Sequence, residues 1–153
     1  MKLALGLSPA AAARLRTAIR FVVGGLFVYA GLAKTMDPHP FLRAIGSFRI
    51  VPATLIGPLA IVLPSLEVLA GGAWILNRAP RAAAIIIQAL SVVFLAALGT
   101  AILRGVPADC GCFAALGAGA GSLGMAFARD VVLATGTAWW LFTEPGAHRP
   151  EPE

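Results

Sequence analysis

The sequence predicts an all-α fold, an integral membrane four-helix bundle with a short interfacial helix between its first and second spans. Three observations carry that expectation. The chain of 153 residues is 59% hydrophobic and only 12% charged, about half the charge fraction of an ordinary soluble domain. Its mean hydropathy is +0.86. Four apolar runs, at about 17–34, 52–76, 82–103 and 125–142, have the length needed to cross a hydrocarbon layer roughly 30 Å thick. The length suits one domain, divided into an N-terminal cytoplasmic segment 1–16, a membrane domain 17–142 and a disordered cytoplasmic tail 143–153. The net charge of +5 is dispersed over twelve basic residues, many of them flanking apolar runs. That is the pattern that sets membrane topology, and it excludes a nucleic-acid surface. Two cysteines are too few for a zinc finger or a disulfide framework.

Residues 1–16 are rich in Ala and Leu, with Lys2, Arg14 and Arg16. They suit a short interfacial helix or a frayed end. In the first span, Arg20, Gly24, Phe27, Gly31 and Lys34 follow at steps of four, three, four and three, which puts them on one helical face. Small residues on such a face let a second helix approach closely in lipid. The run leads into Lys34 and Asp37 without a small-x-small cleavage site, so it reads as a retained helix. Its two cations, one at each end of the face, read either as snorkelling side chains or as functional groups.

The connection 35–51 opens with Asp37-Pro38-His39-Pro40. Phe41, Leu42, Ile45 and Phe48 then form an apolar stripe with Arg43 and Arg49 off it, the pattern of an amphipathic helix on the bilayer surface. Pro52, Pro58 and Pro64 mark the start of the second span and a kink. Glu67 lies deep in that run. A carboxyl group there is expensive unless neutral or paired. Arg20 and Gln88 are its candidate partners, in a structural polar clamp or a proton relay. The turn Asn77-Arg78-Ala79-Pro80-Arg81 is tight and basic. The third span is interrupted only by Gln88, Ser91 and Thr100. The fourth opens with Arg129-Asp130 and ends in Trp139-Trp140, residues suited to a membrane interface.

Between the last two spans lies the stretch with the most chemistry, Arg104-Gly105-Val106-Pro107-Ala108-Asp109-Cys110-Gly111-Cys112-Phe113. Positions i and i+2 of an extended strand lie near the upper limit of Cα separation for a disulfide, roughly 7 Å. Gly111 permits the turn that shortens it. A bridge closing so small a ring removes little chain entropy, and strained, exposed disulfides are the labile, catalytic or regulatory kind. Redox exchange, binding of a soft metal and an incidental pair of thiols are the readings open to Cys110 and Cys112. Thiolates are favoured by nearby cations, which nominates Arg104 and Arg129. Asp109 is a candidate proton acceptor. The Gly- and Ala-rich run 114–124 reads as a loop that lets the dithiol swing.

Four spans place both termini on one side. Lys2, Arg14, Arg16, Arg20, Arg78, Arg81 and Arg149 fall there, against Lys34, Arg43, Arg49, Arg104 and Arg129 on the other. The positive-inside rule puts the termini in the cytoplasm and the dithiol outside, where disulfides persist. Lys34, Asp37, Arg104, Asp109, Arg129 and Asp130 gather on that outer rim, with Glu67 and Arg20 as supporting polar groups. Clustered titratable groups favour a site.

These residues carry a resemblance. Arg20-x3-Gly24-x2-Phe27-x3-Gly31-x2-Lys34 followed by Asp37-Pro38, and Pro64-x2-Glu67-x3-Gly71, resemble the DoxX-like membrane proteins. Arg104-Gly105, Asp109-Cys110-Gly111-Cys112-Phe113 and Arg129-Asp130 look like the methylamine-utilisation MauE branch, with Ala114 where glycine is expected. The resemblance covers roughly residues 20–142. It implies a four-helix protein of the bacterial inner membrane, associated with maturation of the disulfide-rich small subunit of methylamine dehydrogenase alongside a periplasmic thioredoxin-like partner. The expected activity is thiol–disulfide exchange by Cys110 and Cys112. A membrane quinone is a candidate acceptor near Phe27, Phe113 or the tryptophans. Two rivals stand beside it: a non-enzymatic docking factor, and Cu(I) handling by two thiolates assisted by Met36 or His39.

Overall fold

A computed structural model describes residues 8–105 and 123–144. It contains five helices in chain order: α1 Pro9–Met36, α2 Pro38–Phe48, α3 Ala53–Ile75, α4 Pro80–Leu103 and α5 Leu123–Thr143. There is no strand among the described residues.

Local chemistry sets the ends of these helices. Ser8 caps α1 by accepting a hydrogen bond from the Ala11 N–H at 3.3 Å, with Pro9 in the first turn. The helix therefore starts earlier than the expected 17, and the second half of the segment 1–16 continues into the first span. The physical reason is the run Ala10–Ala13, the strongest helix former, with no breaker after it. Asp37 ends α1 and caps α2 through the His39 N–H at 3.2 Å. Arg49 closes α2 in the left-handed region at φ 51°. Asn77 and Ala79 take φ 58° and 47°, which reverses the chain tightly into Pro80 at the start of α4.

α1, α3 and α4 are long and apolar enough to cross a membrane. Their packing fits a membrane protein. Small residues point inward: Gly24, Gly31, Ala60, Ala70, Gly71, Ala83, Ala84 and Ala101 are buried. Large apolar side chains point outward, with Ile61 at 72% and Leu69 at 68% exposure. In water that arrangement would forfeit the hydrophobic driving force, whereas in lipid it costs nothing.

The tightest seam joins α1 to α3, and glycine makes it. A Cβ on Gly31 would sit 2.7 Å from the Pro64 carbonyl oxygen, and one on Gly71 would sit 2.7 Å from that of Gly24. Below this seam, Trp74 and Trp140 meet edge to face at 5.2 Å between centroids. Val23, Phe27, Ala84 and Ile87 pack around them. This cluster ties α5 to the rest.

The stripe on α2 does not need the bilayer surface that the sequence suggests for it. Phe41 and Ile45 are buried against Ala60 of α3, with Ile56, Leu59 and Leu63 around them. An amphipathic period records only that one face is covered, and here α3 covers it.

Gly31→Val is expected to lower stability by about 1–3 kcal/mol, because the backbone it meets cannot yield. Gly25 has nothing within 4 Å of its would-be Cβ, and Gly25→Ala is expected to raise stability by about 0.5–1 kcal/mol. Thermal unfolding in detergent compares them. Equal responses would refute the glycine seam.

Candidate functional site

All five helices contribute to one cavity of 440 Å³. Its walls are mostly apolar, and four charged side chains enter it: Lys34, Glu67, Arg129 and Asp130.

Lys34 stands one turn beyond Gly31 on the buried face of α1, and Glu67 stands one turn before Gly71 on the buried face of α3. Docking the glycines therefore brings the two charges together. Lys34 Nζ donates to Glu67 Oε1 at 2.5 Å and to Oε2 at 2.8 Å. Lys34 is 3% exposed and Glu67 2%. The ammonium also lies 4.9 Å from the Phe41 ring centroid and 4.8 Å from that of Phe94. Two aromatic faces replace part of its lost hydration, an interaction of roughly 2 kcal/mol where water is excluded.

The second pair lies on α5. Ala126, Asp130, Ala134 and Thr137 form its buried stripe, and this turns Asp130 inward. Arg129 follows its neighbour back, donating to Asp130 Oδ1 from Nε at 2.9 Å and from Nη2 at 2.7 Å. The cavity thus carries two cations and two carboxylates, each cation beside an acid.

The residues expected at the outer rim separate into groups. Lys34, Arg129 and Asp130 converge on the cavity and are joined there by Glu67. Lys34 is not a snorkelling end, because its amine is buried and paired. Glu67 pairs with neither Arg20 nor Gln88. Arg20 lies about 20 Å further back along α1 and donates to Asn77 Oδ1 at 2.5 Å, tying α1 to the α3–α4 turn. Asp37 serves the α2 cap. Arg104 reaches the Phe48 carbonyl at the end of α2 at 3.3 Å, a natural position for a cation at a helix C-terminus. Cys110, Cys112 and Asp109 lie outside the described residues, as does Phe113.

The Lys34–Glu67 pairing had a signal in the sequence. The elements Gly31-x2-Lys34 and Glu67-x3-Gly71 each place a charge one turn from a glycine. Two glycine faces that dock must carry their charges with them. Phe41 and Phe94 had no such signal, since an aromatic in an apolar run announces only packing.

A family model described as methylamine utilisation protein MauE matches residues 12–143, and so takes in α1 from Ala12 onward, all of the other helices and both cysteines. A relative from Paracoccus denitrificans, a methylamine utilization protein MauE, is 35% identical over 97 residues. That alignment takes in 63% of this chain and 52% of the relative. The chain therefore spans about half the length of the relative it matches. No solved structure matches.

Lys34→Met leaves a buried carboxyl group without its cation, and is expected to cost about 3–5 kcal/mol. Lys34→Met combined with Glu67→Leu removes both charges and is expected to recover most of that loss. Chemical unfolding of the single and double variants in detergent measures the coupling. Additive losses would show that the pair is not a unit.

Proposed function

The chain belongs to the MauE family of methylamine utilisation proteins, and from that premise we propose that it is a membrane-bound thiol–disulfide component serving the maturation of periplasmic proteins. The observation that carries this reading is the place from which the dithiol segment departs. In the chain it lies between α4, which ends at Leu103, and α5, which starts at Leu123. Thr100, one turn before the end of α4, and Arg129-Asp130, near the start of α5, both line the charged cavity. The two helices that flank Cys110 and Cys112 in the sequence thus both line the cavity where Lys34, Glu67, Arg129 and Asp130 gather, and this supports the reading.

α5 completes the set as a fourth span in this reading. Its 21 residues extend roughly 31 Å, about the hydrocarbon thickness. Its outer face carries Met125, Val132 and Phe142, all strongly exposed and all suited to lipid. Four crossings put both ends of the chain on one side. Arg78 in the α3–α4 turn and Arg81 at the start of α4 support a cytoplasmic position for that side, with the dithiol on the periplasmic face of the inner membrane.

The chemistry is exchange. The thiolate of one cysteine attacks a sulfur of a partner disulfide, a mixed disulfide forms, and the second cysteine displaces the partner's thiol. One S–S bond breaks as another closes, and two electrons and two protons pass to the partner. The reverse sequence reduces Cys110–Cys112 instead. Arg104 and Arg129 favour the thiolate, and Asp109 takes up the proton. A thioredoxin-like periplasmic protein is the expected partner. A disulfide-rich subunit such as that of methylamine dehydrogenase is the expected beneficiary.

Cys112→Ser, which retains one attacking thiol, is expected to accumulate a mixed disulfide with the periplasmic partner, visible on non-reducing gels and abolished by dithiothreitol. The double variant Cys110→Ser/Cys112→Ser is expected to lose maturation of the periplasmic protein altogether. Full maturation with the double variant would replace exchange by docking.

A further inference from the structure

The cavity has features that thiol exchange does not use. Its volume of 440 Å³ lies within the range of sites for small organic molecules. Phe27, Phe41, Phe48 and Phe94 contribute aromatic walls. Two further lining residues, Ile50 and Val93, are 49% and 55% exposed, so the space opens through the outer surface. Val93 lies on the same outer face as its neighbour Val92, in a helix long and apolar enough to cross a membrane. With α4 spanning the bilayer, as in the reading above, that mouth meets the acyl chains.

The charges then select among molecules that dissolve there. Lys34 is held by Glu67, and Arg129 by Asp130. An anionic head, such as that of a fatty acid, would have to displace a carboxylate from a cation among largely apolar walls, and a cationic head would face the same exchange in reverse. A neutral head with carbonyl or hydroxyl oxygens needs no such exchange. It can accept from the ammonium or guanidinium while both pairs stay closed, and a flat ring fits between phenylalanine faces. We propose that the cavity binds an uncharged amphiphile of the bilayer, with a carbonyl- or hydroxyl-bearing ring placed against Lys34 and Arg129 and its apolar tail leaving past Val93.

Decylubiquinone, which is uncharged and carries ring carbonyls, is the probe, with dodecanoate as its anionic competitor. The protein is the full chain carrying Cys110→Ser and Cys112→Ser, in phosphatidylcholine nanodiscs, so that no thiol chemistry contributes. Saturable binding above that of empty nanodiscs is expected, with dodecanoate competing at least tenfold more weakly. Ala97→Phe, which fills the cavity from α4, is expected to weaken binding at least tenfold. Val93→Trp narrows the mouth from an exposed position that folding tolerates, and is expected to weaken it at least threefold. Dodecanoate competing as well as the probe would overturn the neutral-head assignment. Absence of saturable binding, or binding unaffected by both variants, would overturn the cavity as the site. Failure of the thiol reading leaves this experiment unchanged, whereas a chain that does not enter nanodiscs would sink the membrane premise itself.

Discussion

A lysine and a glutamate enclosed among apolar helices cost several kcal/mol each in lost hydration, and they persist only when their mutual geometry is good. In this protein the geometry depends on glycine. Gly24, Gly31 and Gly71 let α1 and α3 touch backbone to backbone, and at that separation Lys34 reaches both oxygens of Glu67. A single added methyl group at the seam would part the helices and the charges together. The close approach and the ion pair are therefore one constraint. The cavity, the placement of α2 and the aromatic cover of Lys34 follow from it.

The helix α2 matters more than its length suggests. It returns across the end of α1, sets Phe41 against the Lys34 ammonium, and packs Ile45 on α3. Arg104 fastens the end of α4 to its last turn. Through these contacts α2 closes one side of the cavity and holds the point from which the cysteine-bearing segment departs. At the other end, Arg20 and Asn77 hold α1 to the α3–α4 turn. These polar contacts act as fasteners at the two ends of a largely apolar body, and among the described residues the buried Lys34, Glu67 and Asp130 each have an opposite charge beside them.

Some of this could be read directly from the residues. The face Arg20, Gly24, Phe27, Gly31 and Lys34 follows from helical spacing alone, and the buried members of α1 include Gly24, Phe27, Gly31 and Lys34. The tight basic turn at 77–81 was also legible, because Asn77, Pro80 and the two arginines leave a local signature, whereas the left-handed φ of Ala79 does not. The partner of Glu67 was legible only in part. Arg20 and Gln88 were its candidates, and the glycine-plus-charge elements that point to Lys34 instead do not by themselves fix the offset of one helix against another. The start of α1 stayed ambiguous between a short helix and a frayed end, because Ala10–Ala13 carries helix propensity but no amphipathic period; a cap at Ser8 begins the helix.

What the sequence by itself determined was the solvent, the class and the faces. Hydropathy called for lipid, periodicity for helices, and glycine spacing for a close seam. MauE membership is likewise carried by linear motifs, since they survive without coordinates. Only the tertiary structure decided which charges meet, that the α2 stripe is covered by α3, and that four charged groups share one apolar cavity. The division has a physical cause. Propensity and period act over one or two turns of a single helix. Register between helices is chosen by the best simultaneous fit of many side chains, and that fit exists only once the helices are in contact.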